Sequence, residues 1–417
     1  MNGIFAIEKP SGVTSNSFLQ QLKNALMKST IFQKDIQKAV MDRSQQYAKE
    51  TGKKPSKRKL RKVSQIKMGH GGTLDPLASG VMVIGIGSGT KKLSEYLGNC
   101  TKIYETEALF GVATTSGDSE GDIITETSVK HLTWDDLKTV EAKFVGHLKQ
   151  TPPIYAALKL NGKPLYEYAR EGIPLPKAIE PRQIQIYSLQ LFSDSLTRDH
   201  SYPILKLQDV EEREVLKKLN ANLMEDKLYF SQEYCEKHGL KSEEVEVGNW
   251  IPLTDEERAS IYSSKNDSYR APLLHFKTSV SSGTYIRSLI SDIGKSMKSS
   301  CYMVKLIRCQ QQEWALDKNN VFTLDDFEHN DEEIWSKVLE KVLEEGSKVN
   351  IEEEFIRAKA EAKAEAKAEA EAAAKVAAEV NVETTEATAA TTVEPVTVQS
   401  TAEETPTGKR SRDDEKM

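Results

Sequence analysis

Gly69–Lys92 reads GHGGTLDPLASGVMVIGIGSGTKK. Glycines at 69, 71 and 72 precede an acid, Asp75, which lies between Leu74 and Pro76 and is followed by the apolar run Val81–Ile86. A run of that length flanked by glycine and proline reads as a buried strand, and the segment before it as a turn. The carboxylate has two readings. It closes or caps the turn, as aspartate before proline commonly does. Alternatively, half-buried in a concave turn whose glycines let a ligand approach the backbone, it serves as nucleophile or base. The later glycines, Gly85 to Thr90 with two lysines behind them, raise a third idea, a phosphate cradle. Their spacing fits neither the dinucleotide fingerprint nor the GxxxxGK[ST] loop, so a strand-to-helix turn is expected there.

Outward from this segment, the N-terminal side opens with GIFAIEKPSGVTS (Gly3–Ser15), a strand stopped at Lys9-Pro10-Ser11-Gly12. Thr14 or Ser15 caps a helix carrying Phe18, Leu19, Leu22 and Leu26 at helical spacing. A polar, basic insertion, part helix and part mobile loop, occupies about residues 30–65. On the C-terminal side, Lys102–Thr114 alternates as a strand and TSGDSEGDI is turn chemistry. Thr133–Leu148 has a cap, early acids and helical periodicity. Ile154–Gly172 reads as a strand, an Asn161-Gly162 turn and a tyrosine-rich helix. A second, charge-dense insertion with short helices spans about 194–268, after which Leu274, Phe276 and Thr278 alternate and Ile286, Leu289, Ile290 and Ile293 mark a helix. Strands and helices thus follow one another along the body. One body over 1–345 is followed by a disordered tail over 346–417, alanine-, glutamate- and lysine-rich and then threonine-rich.

The chain of 417 residues is 38% apolar, enough for a sizeable core. Its formal charge of −6 comes from the end: Ile351–Met417 holds 16 acids and 9 bases, which leaves +1 on the first 350 residues. Within that body, Thr51–Lys67 carries 8 bases and no acid, a field suited to phosphates or an import signal. No apolar run reaches the roughly 18–20 residues of a membrane span. The four cysteines are scattered without metal-ligand spacing, so reduced thiols and no metal are expected.

Five segments taken together resemble the TruB family of pseudouridine synthases, in which the catalytic aspartate lies in a GTLDP or GALDP turn. They are GIFAIEKPSGVTS, GHGGTLDPLASGVMVIGIG, KIYETEALFGVATTSGDSEGD, PPIYAALKLNGKPLYEYAREG and SSGTYIRSLISDIG, collinear over about residues 2–30, 66–192 and 270–310. The likeness is nearest the eukaryotic, yeast-type branch that modifies tRNA position 55. It implies the pseudouridine synthase fold, α+β with a mixed, largely antiparallel sheet flanked by helices, and an isomerase that detaches the uracil of an RNA uridine, rotates it and rejoins it through carbon, without a cofactor. It also implies roles. Asp75 is the catalytic acid, attacking the sugar or deprotonating it. Tyr104 stacks near the target base and assists proton transfer, and Arg287 pairs with Asp75, since a guanidinium matches a carboxylate bidentately. Tyr285 and Leu306 line the base pocket. His70 meets the RNA loop, and Lys9, Lys159 and Arg170 are further candidates for bracing the site or touching RNA.

The stretch after Cys309 is short for the extra RNA-binding domain of bacterial and guide-dependent relatives, which favours a stand-alone enzyme acting on the tRNA T-arm. T-loop-like sites in messenger RNA are a second candidate substrate. The alternative is a tRNA-binding or RNA-folding chaperone whose catalysis is secondary. A monomer without membrane attachment is expected. The basic runs favour the nucleus, with mitochondrion and cytoplasm as further compartments, although the start, with Glu8 and no early arginine, makes a poor transit peptide.

Overall fold

Nine strands form one sheet: β1 (Gly3–Lys9), β2 (Met68–His70), β3 (Ser79–Ile86), β4 (Lys102–Phe110), β5 (Gly146–Gln150), β6 (Arg182–Leu191), β7 (Leu273–Val280), β8 (Cys301–Gln311) and β9 (Trp314–Ala315). Their order is β1-β3-β8-β4-β7-β6-β5, with β2 paired to β3 and β9 to β8. Only the β3–β8 pair is parallel among these described strands; the others run antiparallel, so the sheet is mixed and largely antiparallel as the sequence implies. The computed structural model describes residues 1–61, 63–98, 100–156, 158–171, 175–205, 227–241, 243–245, 250–263 and 268–389.

Strand identity follows side-chain chemistry. In β7 Leu274, Phe276 and Thr278 are buried, and in β3 the run from Gly80 to Ile86 is buried throughout, as befits a strand covered on both faces. Packed against the sheet are the helices Trp134–Phe144 and Ile286–Ser296. Leu137, Val140 and Phe144 of the first share one core with Ile286, Leu289, Ile290 and Ile293 of the second. The helices Ser15–Met27 and Trp134–Phe144 start where the sequence says: Thr14 accepts from Ser17 N (3.1 Å) and Thr133 from Asp136 N (3.2 Å), both as N-caps.

Three expectations need correction. The helix read over Thr133–Leu148 ends at Phe144, because Val145 is already extended (ψ 126°) and the next residues form β5. The strand read over Lys102–Thr114 breaks at Gly111 (φ 104°), and Val112–Thr114 pairs instead with Ile123–Glu126. The body does not stop near residue 345: the compact unit runs from Met1 to Lys359. Val349, Ile351, Phe355 and Ala358 are buried, Ile351 N donates to Asn319 O (2.7 Å), and the Phe355 ring meets Phe322 edge-on. Phe322 in turn exchanges backbone hydrogen bonds with β1, donating to Ala6 O and accepting from Glu8 N. From Ala360 the chain forms a separate unit, helical as far as Ala389. The basic run Lys409–Arg412 lies outside the described residues.

The first insertion is a helix, Thr30–Thr51, with a short return helix, Lys57–Leu60. Of the second, Leu228, Phe230 and Cys235 join the central core beside Phe144, so this part carries packing as well as surface. The glycines at 85–90 serve the fold. A Cβ on Gly89 would lie 1.8 Å from Gly3 O, so glycine there lets β1 pack close.

Candidate active site

Asp75 sits in the turn between β2 and β3, and the loop after β1 braces that turn from below. Ser15 Oγ donates to Leu74 O and accepts from Leu74 N, both at 2.8 Å. Gly12 N donates to Pro76 O (2.8 Å), and Ser11 Oγ to Leu77 O (2.5 Å). Lys9, fully buried, donates to Pro10 O (2.8 Å), Val13 O (2.7 Å) and Pro76 O (3.3 Å). All three of its donors are used on backbone. Lys9 therefore braces the aspartate turn.

These contacts carry two predictions. Ser15→Ala leaves both polar groups of buried Leu74 without their partner, which costs about 1–3 kcal/mol; urea unfolding measures it. Burial pulls the Lys9 pKa down to about 8, with Arg308 adding to the effect and Asp75 opposing it. A lysine lowered in the folded state costs stability while charged. Between about pH 8 and the ordinary lysine value the folded chain has released this proton and the unfolded chain still holds it. The Lys9 contribution to stability therefore rises with pH in that window. The stability of wild type relative to Lys9→Met should rise from pH 8 to pH 10 in urea titrations; a constant difference contradicts the assignment.

Across the cleft, Arg287 opens the helix Ile286–Ser296 and is 5% exposed. Its Nε donates to Asp75 Oδ2 (2.8 Å) and its Nη2 to Asp75 Oδ1 (3.0 Å), a bidentate pair. Nη1 donates to Ser116 O (2.6 Å) and Nη2 also to Tyr155 O (2.9 Å). Asp118 Oδ2 lies 4.0 Å from Nε, and this acid is itself buried. The acidic turn Ser116–Glu120 is in turn stitched to β8: Met303 N donates to Gly117 O (3.0 Å) and Ser119 N to Met303 O (2.9 Å). A guanidinium held at four points leaves the carboxylate one orientation. Asp75 keeps about a third of its side chain exposed.

Tyr104 and Leu306 are the candidates that the core brings to the aspartate turn. Register sets Gly80, Arg308, Tyr104 and Thr278 in one row across β3, β8, β4 and β7. Two strand spacings, about 10 Å, thus separate the start of β3 from Tyr104. Tyr104 and Leu306 belong to the core cluster that holds Leu74 and Ala78, the residues flanking the aspartate turn. Tyr285 precedes the arginine helix. Gln150 fixes it at both backbone groups, accepting from Tyr285 N (2.8 Å) and donating to Tyr285 O (3.1 Å). Burial raises the Tyr285 pKa, and Arg182, Arg287 and Asp75 are the charges that act on it. His70 ends β2. Burial and then the Arg308 charge lower its pKa, which favours the neutral ring at neutral pH. Lys159 is exposed in a short hairpin, and Arg170 ends the helix Leu165–Arg170 with its side chain outside the described residues.

Four working residues escaped the sequence reading: Ser15, Asp118, Gln150 and Arg308. Arg308 is 1% exposed and donates to Val81 O (2.6 Å) and Gly72 O (3.3 Å), tying both sides of the aspartate turn to β8. That approach requires glycine at 80, where φ is 103° and a Cβ would lie 2.4 Å from Arg308 O. The acidic turn and the motif GTYIR could have pointed to Asp118 through charge balance; the others carry no local signal.

Residues 57–210 match the family model described as TruB family pseudouridylate synthase (N terminal domain), so the setting of Asp75 is that of a pseudouridylate synthase. The chain is 67% identical over 361 residues to tRNA pseudouridine synthase 4 of Saccharomyces cerevisiae, covering 87% of this chain and 89% of that one. It is 35% identical to tRNA pseudouridine synthase 4 of Schizosaccharomyces pombe, over 78% of this chain and 82% of that one. Similarity to tRNA pseudouridine synthase B of Francisella philomiragia is 40% over 47% of this chain and 53% of that one. The chain belongs to the TruB family of pseudouridylate synthases, and it is an isomerase.

Proposed function

We propose that the protein converts the uridine at position 55 in the T-loop of tRNA to pseudouridine, acting alone and without a guide RNA. The observation that carries the reading is a partly exposed Asp75 held by both oxygens on a buried Arg287. The tRNA substrate is supported by the two fungal relatives, both named as tRNA pseudouridine synthases and matched over most of their length. Hairpins in messenger RNA that reproduce the T-loop turn belong to the same proposed substrate class.

The reaction balances without a redox partner. The N1–C1′ bond of the nucleotide breaks, a C5–C1′ bond forms, the C5 hydrogen leaves and N1 gains one. Asp75 is placed to act on the sugar, by attack at C1′ or by removing a proton from C2′; Arg287 holds its direction in either case. Tyr104 offers a flat ring for the detached base and a hydroxyl for proton transfer, and neutral His70 a ring for stacking or a single hydrogen bond. Reaching a looped uridine costs about a few kcal/mol of unstacking, which contacts to the RNA backbone must offset.

The test uses unmodified tRNA transcripts, with position-resolved detection of pseudouridine. Product at 55, and none when that uridine is changed to cytidine, is the expected outcome. Product elsewhere in the first transcript, or from the second, contradicts the position.

A further inference from the structure

The helix Thr30–Thr51 is fixed at its start only. Phe32 is its buried residue, and Glu332 accepts from Thr30 N (2.9 Å) and Ile31 N (2.8 Å), while the Met1 amino group pairs with Asp35 (3.0 Å). Twenty-two residues make a rod of about 33 Å. At Gly52 (φ 68°) the chain reverses, and the return segment lies against the rod through Lys59, whose ammonium stands 4.1 Å from the centre of the Tyr47 ring. It rejoins the body at buried Ile66, with Lys23 bound to Gln65 (3.0 Å), and runs into β2, which ends at His70.

Charge is distributed unevenly on this arm. The outgoing helix mixes signs, with Lys34, Lys38, Arg43 and Lys49 against Asp35, Asp42 and Glu50. The return segment is basic without any acid. Lys53, Lys54, Lys57, Arg58, Arg61 and Lys67 are exposed, and none has a side-chain partner among the described residues. Lys67 is three residues from His70, about 10 Å along a strand, so the basic track begins beside the site and leads away from it.

We propose that this return segment is a second RNA-binding surface that grips phosphates of the substrate outside the modified hairpin; the inference rests on the tRNA reading above. Exposed cations without internal partners gain most from a polyanion, because each phosphate neutralised releases counterions. A track that starts at His70 and leaves the cleft meets backbone beyond the T-arm. The segment therefore adds affinity for whole tRNA and does not act in the chemical step.

The experiment compares the full chain with a variant carrying Lys53→Gln, Lys54→Gln, Lys57→Gln, Arg58→Gln and Arg61→Gln, on whole tRNA transcript and on an isolated T-arm hairpin. For whole tRNA the variant should bind roughly tenfold or more weakly at about 150 mM salt, and its log Kd against log salt slope should fall by about 0.9 for each phosphate that is no longer neutralised. For the hairpin its affinity should match wild type, and its single-turnover rate at saturating RNA should be unchanged on both, which also shows that the variant is folded. Unchanged affinity and slope on whole tRNA overturn the proposal, as does an equal loss on the hairpin. Normal tRNA binding with lost nuclear accumulation would overturn it too, in favour of an import receptor. Binding is read independently of product, so a wild type that makes no pseudouridine refutes the substrate reading and leaves this test standing.

Discussion

Arg287→Met is expected to remove most activity and about 3–5 kcal/mol of stability together, because it strands two acids around one vacated cationic site. Asp75 loses both of its hydrogen bonds to the guanidinium, and buried Asp118 loses the positive charge 4.0 Å from it. The Ser116 and Tyr155 carbonyls lose their donors as well. Arg287→Lys separates the two effects. A lysine supplies charge and not the fork, so it should recover much of the stability while kcat stays down by about 10²–10³, the scale for losing an aligned hydrogen-bond donor. Urea unfolding and single-turnover kinetics on the same preparations read the two quantities. A lysine variant as active as wild type would show that bidentate geometry is not needed to aim Asp75.

Much of this site was legible because its signals are local. Alone, Asp75 before proline reads as a turn residue and Arg287 as a surface residue; it is the resemblance of their short segments, GHGGTLDPLASGVMVIGIG and SSGTYIRSLISDIG, that points to both, and the structure joins them in one ion pair. The Asn161-Gly162 turn was equally legible: both residues have positive φ, at 52° and 82°, as a two-residue hairpin loop requires. What stayed hidden depends on distant backbone. The partners of Lys9 are carbonyls, and nothing in the sequence marks Pro76 O as an acceptor for a residue 67 positions earlier. A lone lysine beside proline therefore leaves bracing and RNA contact open as readings. Arg308 lies in a strand that would bury an apolar residue as readily; only the close approach of Gly80 makes it a clamp on the aspartate turn.

The C-terminal boundary was missed for a different reason. Ile351, Phe355 and Ala358 recur at i, i+4 and i+7, the pattern of one buried helix face, yet they stand at the head of a long alanine–glutamate–lysine run whose composition dominates the reading. The helix over Thr133–Leu148 was overrun because Leu148 also continues the helical period; it is buried from β5 instead. Pairing with β6, which sets Ile184 opposite Leu148, decides that outcome.

The largest effect belongs to Asp75→Asn. Asparagine keeps the volume and can accept one hydrogen bond from Arg287, so the turn held by Ser15 and Arg308 should persist and RNA should bind within about two- to threefold of wild type. It cannot attack C1′ or take a proton from C2′. The chemical step should therefore slow by on the order of 10⁴-fold or more, the scale of removing a group on which the mechanism depends. Single-turnover pseudouridine formation in an unmodified tRNA transcript, by wild type and by Asp75→Asn, with tRNA affinity measured in parallel, tests the central assignment. Product from wild type alone at similar affinity is the predicted result; product from the asparagine variant at a comparable rate would contradict it.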